Sequence, residues 1–247
     1  MSTSKRKKER RSKLKSNPSE VPPNPSEDLA VKHFTIKHQF KFSEKHQNFL
    51  DLCLNEKSRM IFVDGVAGTG KSYLAVMAAI TKIKEGKTNQ LIYIRSLVES
   101  ASRSMGFLPG TEGDKFAPWS MPLMDKLNEM LHPMVTKKLL DEEKIKCVPV
   151  NFCRGLTFHD SVVIVDESQN CSGAELRTIL TRFGKNSTYV VIGDTKQSDI
   201  DRSGFADIFN RFNDEESVEK GIHTIKFGNT EIVRSEILKF IVKKLDC

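Results

Sequence analysis

No stretch of this 247-residue chain stays apolar for more than a few residues, far short of the ~20 that a membrane-spanning helix needs, so no bilayer span is expected. The cysteines form no framework. There are five (Cys53, Cys147, Cys153, Cys171, Cys247), odd in number, widely spaced and without a C-x-x-C pair. That argues against both a disulfide scaffold and a structural zinc site, and for a reducing compartment. No two of the six histidines stand three or four residues apart. The amino terminus is cationic but lacks the apolar stretch of a secretion signal, so a cytoplasmic protein is expected.

A net charge is missing from most of the chain as well. Residues 1–15 hold eight basic side chains and one acid, Glu9. Taking these from the 39 basic and 32 acidic groups leaves 31 of each sign. The formal charge of +7 therefore describes a tail, and composition does not mark the body as a basic nucleic-acid binder. Residues 1–28 have almost no sizeable apolar side chains and hold four of the nine prolines (Pro18, Pro22, Pro23, Pro25). Such a segment buries too little apolar surface to offset chain entropy, which predicts a disordered basic arm. It reads either as a solvated tail or as a salt-sensitive tether to phosphate backbones.

From residue 29 to 247 the pattern is that of one globular domain. Four short β-rich runs, Met60–Val63, Leu91–Ile94, Val162–Val165 and Tyr189–Ile192, are continuously apolar. Continuous apolarity is the mark of strands buried on both faces of a parallel sheet. Helical stretches lie between them, opening at Lys71, near Leu123–Leu131 and near Gly173–Phe183. The alternation predicts an α/β fold with a mainly parallel sheet flanked by helices. A last helix, roughly Glu231–Leu245, carries apolar residues at helical spacing and is expected to lie on the sheet.

Chemistry concentrates at three places. Gly65-Val66-Ala67-Gly68-Thr69-Gly70-Lys71-Ser72 is a full G-x-x-x-x-G-K-S match between a strand and a helix-forming run that starts at Tyr73. Glycines there let successive N–H groups point into one concavity, and the helix end adds positive potential. Lys71 is expected to reach the β- and γ-phosphates and Ser72 to ligate Mg²⁺. The run Val162–Val165 ends in Asp166-Glu167, two carboxylates at the carboxyl edge of the sheet. Asp166 suits the Mg²⁺ shell, and Glu167 suits orienting and deprotonating a water, which favours hydrolysis over transfer to a bound acceptor. The third run enters Gly193-Asp194-Thr195-Lys196-Gln197, where Gln197 is a candidate γ-phosphate sensor. A guanine-reading T-K-x-D is broken by Ser198, so ATP is expected.

GVAGTGKS at 65–72, IRSLVES at 94–100, GFLPG at 106–110, FCRG at 152–155, VIVDESQN at 163–170, LTRFG at 180–184, GDTKQSD at 193–199 and IVRSEI at 232–237 together resemble the PhoH-like family of P-loop ATPases. That family is similar to the N-terminal motor domain of superfamily 1 helicases. The resemblance implies a single RecA-like P-loop NTPase domain and a helicase-like ATPase acting on RNA or single-stranded DNA. It also implies that Gln47 reads adenine. The chain departs from the family at Ile94-Arg95-Ser96, where Thr-Arg-Pro is usual, and at Ser168, where Ala is preferred.

Helicases of that superfamily close the ATP site with an arginine from a second domain, and this chain has room for one domain only. That predicts a homo-oligomer, such as a hexameric ring, in which Arg182 or Arg234 acts in trans on a neighbour's γ-phosphate. Arg95 and Arg154 are expected to face nucleic acid or the loop region. Residues 103–125 read as a loop-rich insertion with Phe107, Phe116 and Trp119, which either stack bases beside Arg103 and Lys115 or pack locally. An ATP-gated binding protein with little turnover is the competing reading. A P-loop kinase or an AAA+-type ATPase fits less well.

Overall fold

The structure, a computed structural model, describes residues 34–38, 40–96, 112–233 and 236–245. Fourteen named elements run in chain order: α1 (Glu44–Leu54), β1 (Met60–Gly65), α2 (Lys71–Lys84), β2 (Gln90–Arg95), α3 (Glu112–Met130), α4 (Pro133–Asp141), β3 (Ile145–Pro149), β4 (Ser161–Asp166), α5 (Gly173–Leu180), β5 (Thr188–Gly193), α6 (Phe205–Arg211), α7 (Glu215–Glu219), β6 (Ile222–Phe227) and α8 (Glu236–Leu245). The six strands form one sheet in the order β3-β2-β4-β5-β1-β6, and every pairing is parallel. The four continuously apolar runs are its four inner strands. Each buries both faces: within β1, Ile61 and Val63 join the core under α1–α4, while Phe62 joins the core under α5 and α6.

Strand direction decides where function can sit. With all strands parallel, the segments after β1, β4 and β5 emerge at one edge, and they hold the three sequence motifs. Helix α2 returns from that edge through the core, with Leu74 to Ile80 buried without a break. Buried all round, it is stabilised by packing rather than by an amphipathic stripe.

Three expectations need correction or placement. The segment 103–125 is not loop throughout, since α3 is helical from Glu112; its proline positions did not prevent a helix anchored by Leu123, Leu127 and Met130 in the core. The last helix starts at Glu236, after a 3₁₀ turn at Asn229–Glu231, and does not bury its described apolar side chains: Ile237, Phe240 and Ile241 are exposed. The basic arm 1–28, the GFLPG segment and Arg103 lie outside the described residues, as do the side chains of Lys115, Phe116 and Trp119.

Candidate functional site: a phosphate-type cleft at the carboxyl edge

The loop after β1 is fixed by contacts that only glycine permits. A Cβ on Gly65 would stand 2.7 Å from the Phe227 Cβ and 2.9 Å from its carbonyl oxygen, because β1 passes close to β6 there. Gly70 has φ +77°, in the left-handed region, with the Phe40 ring 2.8 Å from where a Cβ would be. The Thr69 hydroxyl donates to the Val66 carbonyl at 2.8 Å, the His46 ring bonds the Thr69 carbonyl at 3.0 Å, and the Val233 amide donates to the Gly68 carbonyl at 3.0 Å. The loop is thus held from α1 and from the chain after β6.

Helix α2 starts on Gly70 with no side-chain cap, whereas Ser43 and Ser172 close capping boxes on α1 and α5. The helix behind the loop therefore keeps unsatisfied N–H donors and a partial positive charge facing the cleft. This is the geometry that receives an anion.

Opposite lie four carboxylates, Asp64, Asp166, Glu167 and Asp194, all acting on Lys71. Burial pulls the Lys71 ammonium below its ordinary pKa, and the four acids oppose that shift without cancelling it. Its Nζ donates to the Gly65 and Val66 carbonyls, the latter at 2.9 Å, so the amine is parked on the loop it follows. Ser72 Oγ donates to Asp166 Oδ1 at 2.8 Å, bringing together the two residues expected to share a metal. The buried Tyr93 hydroxyl donates to Asp166 Oδ2 at 2.5 Å, and burial followed by the Asp166 charge drives its pKa upward. A hydroxyl and a buried carboxylate form an all-oxygen donor set, which fits Mg²⁺; that ion takes one or two protein ligands beside substrate phosphates and waters.

Glu167 sits at φ 54°, in the left-handed region, where a non-glycine residue is uncommon. Its carboxylate accepts from Gln169 Nε2 at 2.6 Å and lies 3.9 Å from Arg95. Gln169 in turn accepts the Asp194 amide at 3.1 Å, tying the loop after β4 to the loop after β5. The Asn170 and Asp199 pair, bonded twice at 2.9 Å, doubles that tie. Asp64 accepts from the Thr195 amide and hydroxyl at 2.9 and 3.0 Å.

A cleft of about 680 Å³ gathers Ala67 to Tyr73, Asp166, Glu167, Asp194 and the exposed Gln197, with Asp125, Lys126 and Glu129 of α3 and Phe40 as its further walls. Gly65 and Val66 support the loop without lining the cleft. Two expected residues are elsewhere. Gln47 is exposed and donates to Asp51 on its own helix at 2.8 Å; Phe40, not Gln47, lines the cleft on that side. Arg182 lies between the end of α5 and the start of β5, at the amino edge of the sheet, with its guanidinium 3.3 Å from the Thr181 hydroxyl. Arg234 is outside the described residues. Sequence reasoning passed over Asp64, Tyr93, Gln169 and Asp194. The signals for two of them were present, as an acid directly before the glycine loop and an acid directly after Gly193.

The model of the family described as PhoH-like protein matches residues 40–246. The chain belongs to the PhoH-like family. It is similar to the PhoH-like protein of Bacillus subtilis, 34% identical over 194 residues that make up 77% of this chain and 59% of that one. To the protein PhoH of Escherichia coli K12 it is 36% identical over 187 residues, 74% of this chain and 51% of that one. This PhoH-like chain thus spans little more than half the length of these relatives. Among solved structures it is similar to the crystal structure of Pif1 helicase from Candida albicans, at a TM-score of 0.37 and 17% identity over 77% of this chain and 40% of that one, a likeness too distant to carry an argument. The six-stranded parallel sheet flanked by helices is the RecA-like arrangement expected of a P-loop NTPase. No described helix is long and apolar enough to cross a membrane.

Proposed function

We propose that this chain is an ATPase that binds ATP with Mg²⁺, hydrolyses it, and couples the cycle to RNA or single-stranded DNA. The observation that carries the reading is the Ser72–Asp166 contact beneath an uncapped helix end, with Glu167 next in the chain. The loop amides and the first amides of α2 would hold the β- and γ-phosphates. Lys71 would leave the Gly65 and Val66 carbonyls for the phosphate oxygens, since a phosphate is the better partner for a buried ammonium. Glu167 would accept the proton of the attacking water, and Gln197 would touch both that water and the γ-phosphate, a reading supported by both residues lining the cleft. Ser72 and Asp166 would hold Mg²⁺, which would supply neutralisation of the phosphate charge.

The nucleic-acid arm of the proposal draws on Phe152, 65% exposed on the turn after β3, with Arg154 exposed beside it at the same edge. A solvent-exposed aromatic next to a guanidinium offers a face on which bases can stack. No arginine lines the cleft among the described residues. An arginine from another copy, in a homo-oligomer such as a hexameric ring, would complete it. Arg182 at the amino edge could serve only a head-to-tail neighbour.

Phosphate release from ATP·Mg²⁺ tests the site directly. Lys71→Ala should lower it by about 10²-fold or more with the circular dichroism spectrum unchanged. Undiminished turnover would remove the assignment.

A further inference from the structure

The amino edge of the sheet carries a concavity of about 900 Å³ that the nucleotide reading leaves without a role. Its walls are the turns before β1, β5 and β6, with Lys82 of α2 and Lys87 of the turn that follows it reaching in. Lys87 is neutralised by Glu85 at 3.0 Å and Glu56 at 3.8 Å. Lys57, Arg59, Lys82, Lys185 and Lys220 have no carboxylate at ion-pair distance among the described residues; against the five stand Glu219 and the one negative charge left over where Glu56 and Glu85 share Lys87. Helices α1, α2 and α7 end at this edge, and lysines commonly complement such ends. Each end carries about −0.5 charge, so three of them do not account for an excess of three cations.

Two buried groups on the same wall are short of partners. Lys82 is 5% exposed, and its ammonium has one acceptor, the Thr188 hydroxyl at 3.0 Å, for three N–H bonds. Ser58 is 2% exposed, and its hydroxyl has no hydrogen-bond partner among the described residues. Buried polar groups in folded proteins are nearly always satisfied, so a cavity wall with an orphan hydroxyl and an under-coordinated ammonium lacks an acceptor. Phosphate oxygens are acceptors of the right charge, and the rim of unpaired cations matches several of them in a row.

We propose that this concavity is a second phosphate-binding site, distinct from the glycine loop, which takes a chain of linked phosphates on Ser58, Lys82 and the rim cations Lys57, Arg59, Lys185 and Lys220. Those phosphates could come from a free oligophosphate or from a nucleic-acid strand. The test uses the full chain carrying Lys71→Ala, so that the glycine loop does not compete, with tripolyphosphate as the probe and the amide resonances of Ser58 and Thr188 as the readout. Saturable shifts are expected, with affinity falling at least 10-fold in Lys185→Ala/Lys220→Ala, both exposed positions whose loss should leave the fold intact. Ser58→Ala should weaken binding too. Unmoved Ser58 and Thr188 resonances, or equal affinity in the double variant, would overturn the proposal. Adding an oligothymidylate distinguishes the sources: displacement of tripolyphosphate from these resonances identifies a strand, and retention identifies a free anion.

Discussion

The two edges of the single sheet carry opposite charge. At the carboxyl edge Asp64, Asp166, Glu167 and Asp194 converge on one lysine. At the amino edge, unpaired lysines and an arginine surround a cavity that holds few acids. A body with 31 charges of each sign looks featureless in composition, yet the fold sorts those charges along the strand direction. Parallel strands make this possible, because every loop of one kind emerges at the same edge. The acidic edge suits a metal and a polarised water. The cationic edge suits an anion without chemistry.

Glu167→Gln tests the acidic edge most severely. The amide keeps the size of the side chain and can still meet Gln169, but it cannot take a proton. Turnover of ATP should fall by about 10²–10⁴-fold, while nucleotide affinity, read by fluorescence of a labelled analogue, stays near that of the parent chain. A variant that still turns over would show that the four acids are not divided by task, and the contrast between the edges would reduce to charge alone.

How much of this was legible beforehand follows from burial. The inner strands β1, β2, β4 and β5 could be read because strands buried on both faces show unbroken apolar runs. The outer strands β3 and β6 could not: Lys146 interrupts one, His223, Thr224 and Lys226 interrupt the other, and both are half-exposed along most of their length. The glycine loop, Ser72, Asp166 and Glu167 could be named because their spacing is local. Tyr93 could not, because its contact with Asp166 spans 73 residues and depends on β2 lying beside β4. Gln47 stands outside the cleft because it has a local partner, Asp51 one helical turn on. That Arg182 lies at the amino edge could not be read, because spacing does not say at which edge a turn emerges. The exposed face of α8 shows that helical periodicity marks an apolar stripe without saying what covers it.

Tyr93→Phe sharpens the account of the acidic edge with a smaller effect. The hydroxyl touches neither phosphate nor water in the proposed cycle; it positions Asp166 by occupying Oδ2 and leaving Oδ1 toward Ser72. Loss of such a supporting bond typically weakens a metal site by about 10-fold or more. The Mg²⁺ concentration for half-maximal hydrolysis should rise by about that factor, while the rate at saturating Mg²⁺ changes less. An equal fall at all Mg²⁺ concentrations would mean that Tyr93 merely supports the core.

The smallest expected effect lies at the cationic edge and reads the charge of Lys82 through stability. Burial pulls this ammonium below its ordinary 10.5. Between the lowered folded value and 10.5 the unfolded chain holds more protons on this residue, so stability rises with pH through that window. One proton contributes at most about 1.4 kcal/mol per pH unit. Lys82→Met should flatten the rise, so that parent and variant, compared by urea midpoint at pH 8 and pH 10, diverge in favour of the parent as pH increases. Cys53 does not disturb the comparison: burial pushes its thiol up to about 12, so in the folded state it stays protonated at both pH values in parent and variant alike. Parallel curves would mean that Lys82 carries no buried charge, and the amino edge would then lose the one cation that distinguishes it from an ordinary lysine-rich surface.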